Sequence, residues 1–268
     1  MINRTMRITE EASESGFRIG LKLFSTDIHL IPDARKIRDL FQFIELYVVP
    51  GTYTDTIATW KKVDSAIIIH APHSHHGVNL AKKENEQINR IHISEAQLFA
   101  DHLNSDIIIV HGGNRGVFEE TVRQLLLLKD ERVILENKPK IGIKGSPCVG
   151  YSPAEFRCAI KVGAIQSMAL DFGHAVCAAR SLDVNPIDLI TEFMCFHPRV
   201  FHLSDGNSLS ERDSHLNLGQ GTFNLAPFVS LVPQDGFVTL ETPRNPENGL
   251  NDFLEDVRFL RELMKKTI

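Results

Sequence analysis

Nine residues in this chain combine a side chain able to bind a cation with a place at or just beyond the end of a short apolar run. His70 closes AIIIH, His111 closes DIIIVH and Glu136 closes RVILE. Asp171 closes MALD, with His174 three residues later in MALDFGH. His202 lies in VFHLSDG, Asp213 and His215 in RDSHLNLGQG, and Glu241 closes VTLE ahead of TP. Imidazole with carboxylate is the ligand mix that zinc and other borderline divalent metals favour. A lone His or acid at such a position is ordinarily a structural hydrogen-bonding group or a helix cap. Nine on six consecutive runs call for another reading, because four crowded carboxylates repel one another unless cations lie among them. Metal binding is the chemistry predicted.

Those residues converge only if the elements carrying them close on themselves. Short β-rich runs alternate with longer amphipathic segments along the whole chain, as in βα repeats with a parallel sheet. The predicted strands are 17–24, 43–49, 66–70, 106–111, 132–136, 167–171, 200–203 and 237–241. The predicted helices are 33–40, 54–62, 84–103, 117–128, 153–162, 184–194, 223–231 and 250–265. In the third helix Ile91, Ile93, Ala96, Leu98 and Phe99 are read as one apolar stripe. Eight such pairs, with strand ends about 31 residues apart, predict a (β/α)8 barrel of one domain spanning residues 1–268. In that fold the chemistry sits at the C-terminal ends of the strands, where the nine residues fall.

Composition narrows the function classes. Hydrophobic residues make up 43% and charged residues 24% of the 268, enough apolar surface for a sizeable core and too much for a disordered chain. No apolar run approaches the ~18 residues of a membrane span, and the charged start MINRTMRITEEASES is not read as a signal peptide. Cys148, Cys158, Cys177 and Cys195 lack paired spacing and are read as buried reduced thiols of a cytoplasmic protein. With a net charge of −5, binding to a nucleic acid must rest on a local basic face. Loops assigned to the catalytic rim supply Lys82, Lys83, Arg115, Lys138, Lys140, Lys144, Arg212 and Arg244 against Glu84, Asp205, Glu211 and Glu247. Trp60 is read as core and Ser152, ahead of Pro153, as a helix N-cap.

The ordered set His70, His111, Glu136, Asp171, His174, His202, Asp213, His215 and Glu241 resembles the ligand set of the endonuclease IV family, three-zinc barrels that cleave DNA 5′ of abasic sites. LDFGH and the pair HLSDG…RDSHLNLGQG carry the resemblance most specifically. It implies that Glu136 bridges two metals. His70 and His111 would complete the first, Asp171, His202 and Glu241 the second, and His174, Asp213 and His215 the third. It also implies catalytic roles for Glu136 and Glu241, with a metal-bridging hydroxide as nucleophile and Glu241 orienting it. Zinc is expected at up to three ions per chain, with Mn or Fe an alternative at the oxygen-rich second position. Three divalent cations against four carboxylates leave about +2, which suits a phosphodiester.

Sugar isomerases and epimerases of the same superfamily resemble the chain through Glu136, Asp171, His202 and Glu241 only. That reading needs one metal, leaves about −1, and uses two glutamates as proton-transfer bases on a polyhydroxy substrate. The IEL of the second strand is shared with that branch. The expected partner is damaged double-stranded DNA or a small phosphorylated sugar, with no membrane and no obligate protein partner. DNA-reading features depart from the family: VVPGTYTD after the second strand has no basic wedge, and His73 and Ser74 stand where insertion side chains are usual. ENKPK replaces an ENTAG-like motif, and Ser214 separates Asp213 from His215.

Overall fold

The computed structural model describes residues 16–267; the reading of the first fifteen residues lies outside them. Eight parallel strands close into a barrel in sequence order: β1 (Arg18–Phe24), β2 (Phe43–Tyr47), β3 (Ala66–His70), β4 (Ile108–His111), β5 (Val133–Glu136), β6 (Met168–Asp171), β7 (Val200–Leu203) and β8 (Phe237–Leu240). Pairing of β1 with β8 makes the closure. Outside lie α1 (Ile31–Lys36), α2 (Tyr53–Trp60), α3 (Glu86–Leu103), α4 (Phe118–Leu128), α5 (Pro153–Lys161), α6 (Phe172–Leu182), α7 (Pro186–Met194), α8 (Leu225–Leu231) and α9 (Asn251–Thr267). Among the described residues no helix is long and apolar enough to cross a membrane.

Period-two alternation sorts each strand between two apolar bodies. Ile44 and Leu46 of β2 join the large core beneath the helices, whereas Phe43 joins a smaller one with Ile68, Ile107, Ile109, Ile134, Ala169 and Val200. That second cluster plugs the lumen. Two residues further along the same faces stand His70 after Ile68, His111 after Ile109, Glu136 after Ile134, Asp171 after Ala169 and His202 after Val200. The polar residues at the mouth are thus the next layer above an apolar floor. Register sets them side by side, with His111 opposite Glu136 and Asp171 opposite His202.

Several sequence expectations need correction. Phe172–Leu182 is a helix, which the expected loop between 171 and 184 did not include. The first predicted helix is α1 followed by a separate 3-10 turn at Arg38–Leu40. In α3 the buried residues are Asn89, Ile93, Ala96, Phe99 and Ala100, and Ile91 and Leu98 are exposed. Ile91 sits two residues from both Asn89 and Ile93, which at 100° per residue turns it away from the barrel. Cys148 and Cys177 are buried, but Cys158 on α5 and Cys195 just past α7 are exposed; all four are free thiols. Trp60 is fully buried and donates Nε1–H to Ser25 O at 2.9 Å, and Ser152 forms a capping box with Glu155.

Candidate metal centre

All nine predicted ligands meet at the mouth of the barrel. Their donor atoms form three groups able to hold a cation: His70, His111 and Glu136; Glu136, Asp171 and His202; and Asp171, His174, Asp213 and His215. Glu136 belongs to two groups and Asp171 to two. Glu241 stands just past β8, its backbone N–H still donating to Leu203 O at 3.0 Å. Its Oε2 lies 2.7 Å from His202 Nδ1, beside the second group.

Three of the imidazoles are oriented through Nδ1. His70 Nδ1 lies 2.8 Å from Ala71 O, His174 Nδ1 2.9 Å from Asn137 O and His215 Nδ1 3.1 Å from Glu241 O. A carbonyl only accepts, so those nitrogens carry the proton and Nε2 presents a lone pair. His70 aims Nε2 at Glu136 Oε2, at 3.3 Å, and His215 aims Nε2 at Asp213 Oδ2, at 3.1 Å, while His111 Nε2–H donates to Glu136 Oε2 at 2.9 Å. Lone pairs set against carboxylate oxygens are stable only with a proton or a cation between them. This is the orientation of metal-ligating histidines, whose second nitrogen donates to a carbonyl or carboxylate.

Several buried donor atoms in the mouth lack a partner. Glu136 Oε1, Asp171 Oδ2 and Asp213 Oδ2 are buried without a hydrogen-bond partner. Three such atoms in one mouth are costly unless something binds them. Divalent cations fit this donor set.

The helix that the sequence did not announce shapes one predicted ligand. α6 starts directly from β6, and its N-cap Asp171 accepts His174 N–H at 2.6 Å through Oδ1. One oxygen satisfies the helix N-terminus, leaving Oδ2 for a cation. Burial, with Asp213 and Glu136 nearby, raises the Asp171 pKa despite His174. A divalent ion would reverse that repulsion.

Two inward residues escaped the sequence reading as site members. Glu45 of β2 and Lys22 of β1 lie in the polar layer, paired in register. Glu45 Oε2 accepts from His202 Nε2 at 2.9 Å and Thr239 Oγ1 at 2.7 Å, which fixes His202 with Nδ1 toward the ligand carboxylates. Lys22 Nζ stands 3.1 Å from Glu45 Oε1 and 2.6 Å from Glu241 Oε1. Burial alone would lower His202, but Glu45, Glu241 and Glu136 hold it well above the ordinary imidazole value. His111 is instead pushed down by burial to about 3, despite Glu136, and is therefore neutral. Since Lys22 cancels Glu45, the charge balance argued for three cations is unchanged.

The loop bearing Asp213 and His215 is held by Asp205, a buried acid expected only as rim charge. Its Oδ1 accepts the amides of Gly206 and Phe223 at 2.7 and 3.1 Å, and its Oδ2 those of Gly219 and Gly221, both at 3.0 Å. A Cβ on Gly221 would lie 2.3 Å from Asp205 Oδ1, so this approach requires glycine. Asp205→Ala is expected to weaken the third group alone, by roughly the 10–100-fold typical of outer-shell partners. Elemental analysis after dialysis should then show one metal fewer per chain. Retention of the full complement would contradict the clamp.

Other rim residues are committed elsewhere. Arg244 pairs with Asp27 at 3.0 Å, Arg115 donates to Ser146 Oγ at 2.8 Å, and Lys140 stands over the Tyr151 ring. His73 stacks on His111 with ring centroids 4.7 Å apart, and Tyr47 Oη lies 3.0 Å from His76 Nδ1. A cavity of about 540 Å³ opens beside Glu241 and His215, walled by Phe24, Asp27, Leu30 and Arg244 with Lys22 at its inner end.

The model of the xylose isomerase-like TIM barrel family matches residues 41–263. The chain belongs to this family. Solved structures share the fold at low identity. A D-tagatose 3-epimerase-like protein is 18% identical with a TM-score of 0.70, over 94% of this chain and 98% of that one. Endonuclease IV from Thermus thermophilus is 20% identical with a TM-score of 0.67, over 91% and 99%. A 3-keto-D-glucoside 4-epimerase from E. coli is 13% identical with a TM-score of 0.62, over 90% and 99%. No curated protein sequence matches this one. At these identities the likeness shows the barrel fold alone, and a fold does not fix a chemistry.

Proposed function

We propose that this member of the xylose isomerase-like family is a metal-dependent phosphodiester hydrolase that cleaves DNA at abasic sites. The observation that carries the reading is the third group, Asp171, His174, Asp213 and His215. One-metal sugar chemistry has no use for it. His70, His111 and Glu136 would hold one zinc ion; Glu136, Asp171, His202 and Glu241 a second; and His174, Asp213 and His215, beside Asp171, a third. Bound zinc supplies a Lewis acid and a water acidified toward neutral pH.

The chain's own residues do the rest. Glu136 ties the first two positions into one rigid unit, and Glu45 holds His202 at its ligating angle. Lys22 draws Glu241 Oε1 to one side, leaving Oε2 beside His202 Nδ1 at the second group. Glu241 can there accept a hydrogen bond from the attacking water. The 540 Å³ cavity falls within the range of small-molecule sites and has room for a baseless sugar with its phosphate.

A second reading rests on the second group alone. Glu136, Asp171, His202 and Glu241 suffice for one cation and two proton-transfer carboxylates, as in sugar isomerisation or epimerisation of a free or phosphorylated sugar. Incubating zinc-loaded protein with a duplex carrying one abasic analogue separates the two. The proposal expects a single cut 5′ of the lesion. An intact duplex at full metal loading would overturn it, and solvent deuterium entering a sugar would favour the second reading.

A further inference from the structure

Lys22 and Lys138 both present an ammonium to the ligand layer, and they differ in what holds it. Lys22 is gripped by Glu241 and Glu45 at 2.6 and 3.1 Å. Lys138 is only 3.8 Å from its carboxylate neighbour, Glu136 Oε1, and its hydrogen bond, at 3.2 Å, goes to His174 Nε2. Because His174 Nδ1 donates to Asn137 O, Nε2 holds the single lone pair of the neutral ring, the form that binds a cation. The same nitrogen faces Asp213 Oδ2 at 3.5 Å, within the third group. One lone pair accepts an ammonium N–H or coordinates a cation, and never both at once.

We propose that Lys138 competes with the third cation for His174 Nε2, so that this position fills last and at a free-metal concentration set by the lysine. The inference rests on the three-cation reading and adds to it a graded site. Its first two positions are filled while the lysine stays in place. The third is entered only when the ammonium gives up the imidazole. Backbone anchoring places the lysine for this role: Lys138 N–H donates to Gly150 O at 2.8 Å, and its side chain is 16% exposed at the edge of the mouth. Outward movement of the ammonium therefore meets solvent and not packed core.

Zinc titration of metal-free protein against a chromophoric chelator tests this without reference to turnover. Wild-type protein is expected to take two ions tightly and a third more weakly. Lys138→Met should tighten the third step at least about tenfold, and leave the first two nearly unchanged, because one competitor is removed and no ligand is lost. Lys138→Arg, which keeps the charge and the donors, should retain the weak third step. A merely structural lysine gives the opposite sign, a weaker third step on its removal. An unchanged or weaker third step in Lys138→Met, with the first two intact, overturns the competition. If the first steps also fail, Lys138→Gln decides by the same criterion. A wild-type stoichiometry of one overturns the three-cation reading itself, a separate result from failure of the lysine alone.

Discussion

Glu136→Ala is expected to abolish phosphodiester cleavage, with a loss of at least about a hundredfold, beyond the range typical of outer-shell partners. Glu136 belongs to two of the three ligand groups, so its loss breaks both at once. Two histidines aim at its Oε2, while Oε1 has no hydrogen-bond partner. Buried beneath the mouth, the carboxylate is held ionised. Burial alone would raise it, but the hydrogen bond from His111 and the charges of His202 and Lys138 keep it well below the usual carboxylate range. Metal content should fall by two ions per chain in the same variant. Retention of more than about a tenth of the wild-type rate would remove Glu136 from its bridging role.

The second large effect is expected at Glu45, which touches none of the proposed cations. Glu45→Gln leaves Lys22 with a single carboxylate and puts a neutral amide opposite His202 Nε2. Removing one charge from a buried ion network costs about 3–5 kcal/mol, because the partner is left uncompensated. Urea unfolding of the metal-free protein should show a loss of that order. Zinc competition should show the second position weakened about 10–100-fold, since Glu45 orients a ligand. Adding Lys22→Met to Glu45→Gln should cost further stability, because Lys22 still pairs with Glu241 in the single variant and its removal leaves that carboxylate without its cation. An unchanged urea midpoint in the single variant would show that the network carries no such load.

How much of this was legible in the sequence follows from where polar residues stand in the strands. AIIIH, RVILE and MALD end on their ligands, so apolar runs point at them directly. Lys22 and Glu45 sit inside GLKLF and FIELY, ahead of the strand ends, and a search confined to ends passes over them. The signal was present, since a charge within a buried apolar strand has to face something of opposite sign. Of the helices, Phe172–Leu182 was the least visible. Its N-cap is Asp171 at the end of β6 and its first turn contains Gly173, so no separate turn announces it. Lys138 was visible only as rim charge. Its bond to His174 depends on Asn137 turning the imidazole, a relation between β5 and α6 that no local pattern encodes.

Anomalous diffraction at the zinc edge from zinc-loaded crystals decides whether the mouth of the barrel holds three cations. Three peaks are expected: one between His70, His111 and Glu136, one between Glu136, Asp171, His202 and Glu241, and one between His174, Asp213 and His215. A lone peak at the second position, with His70, His111, His174 and His215 bound to no ion, would contradict the trinuclear centre.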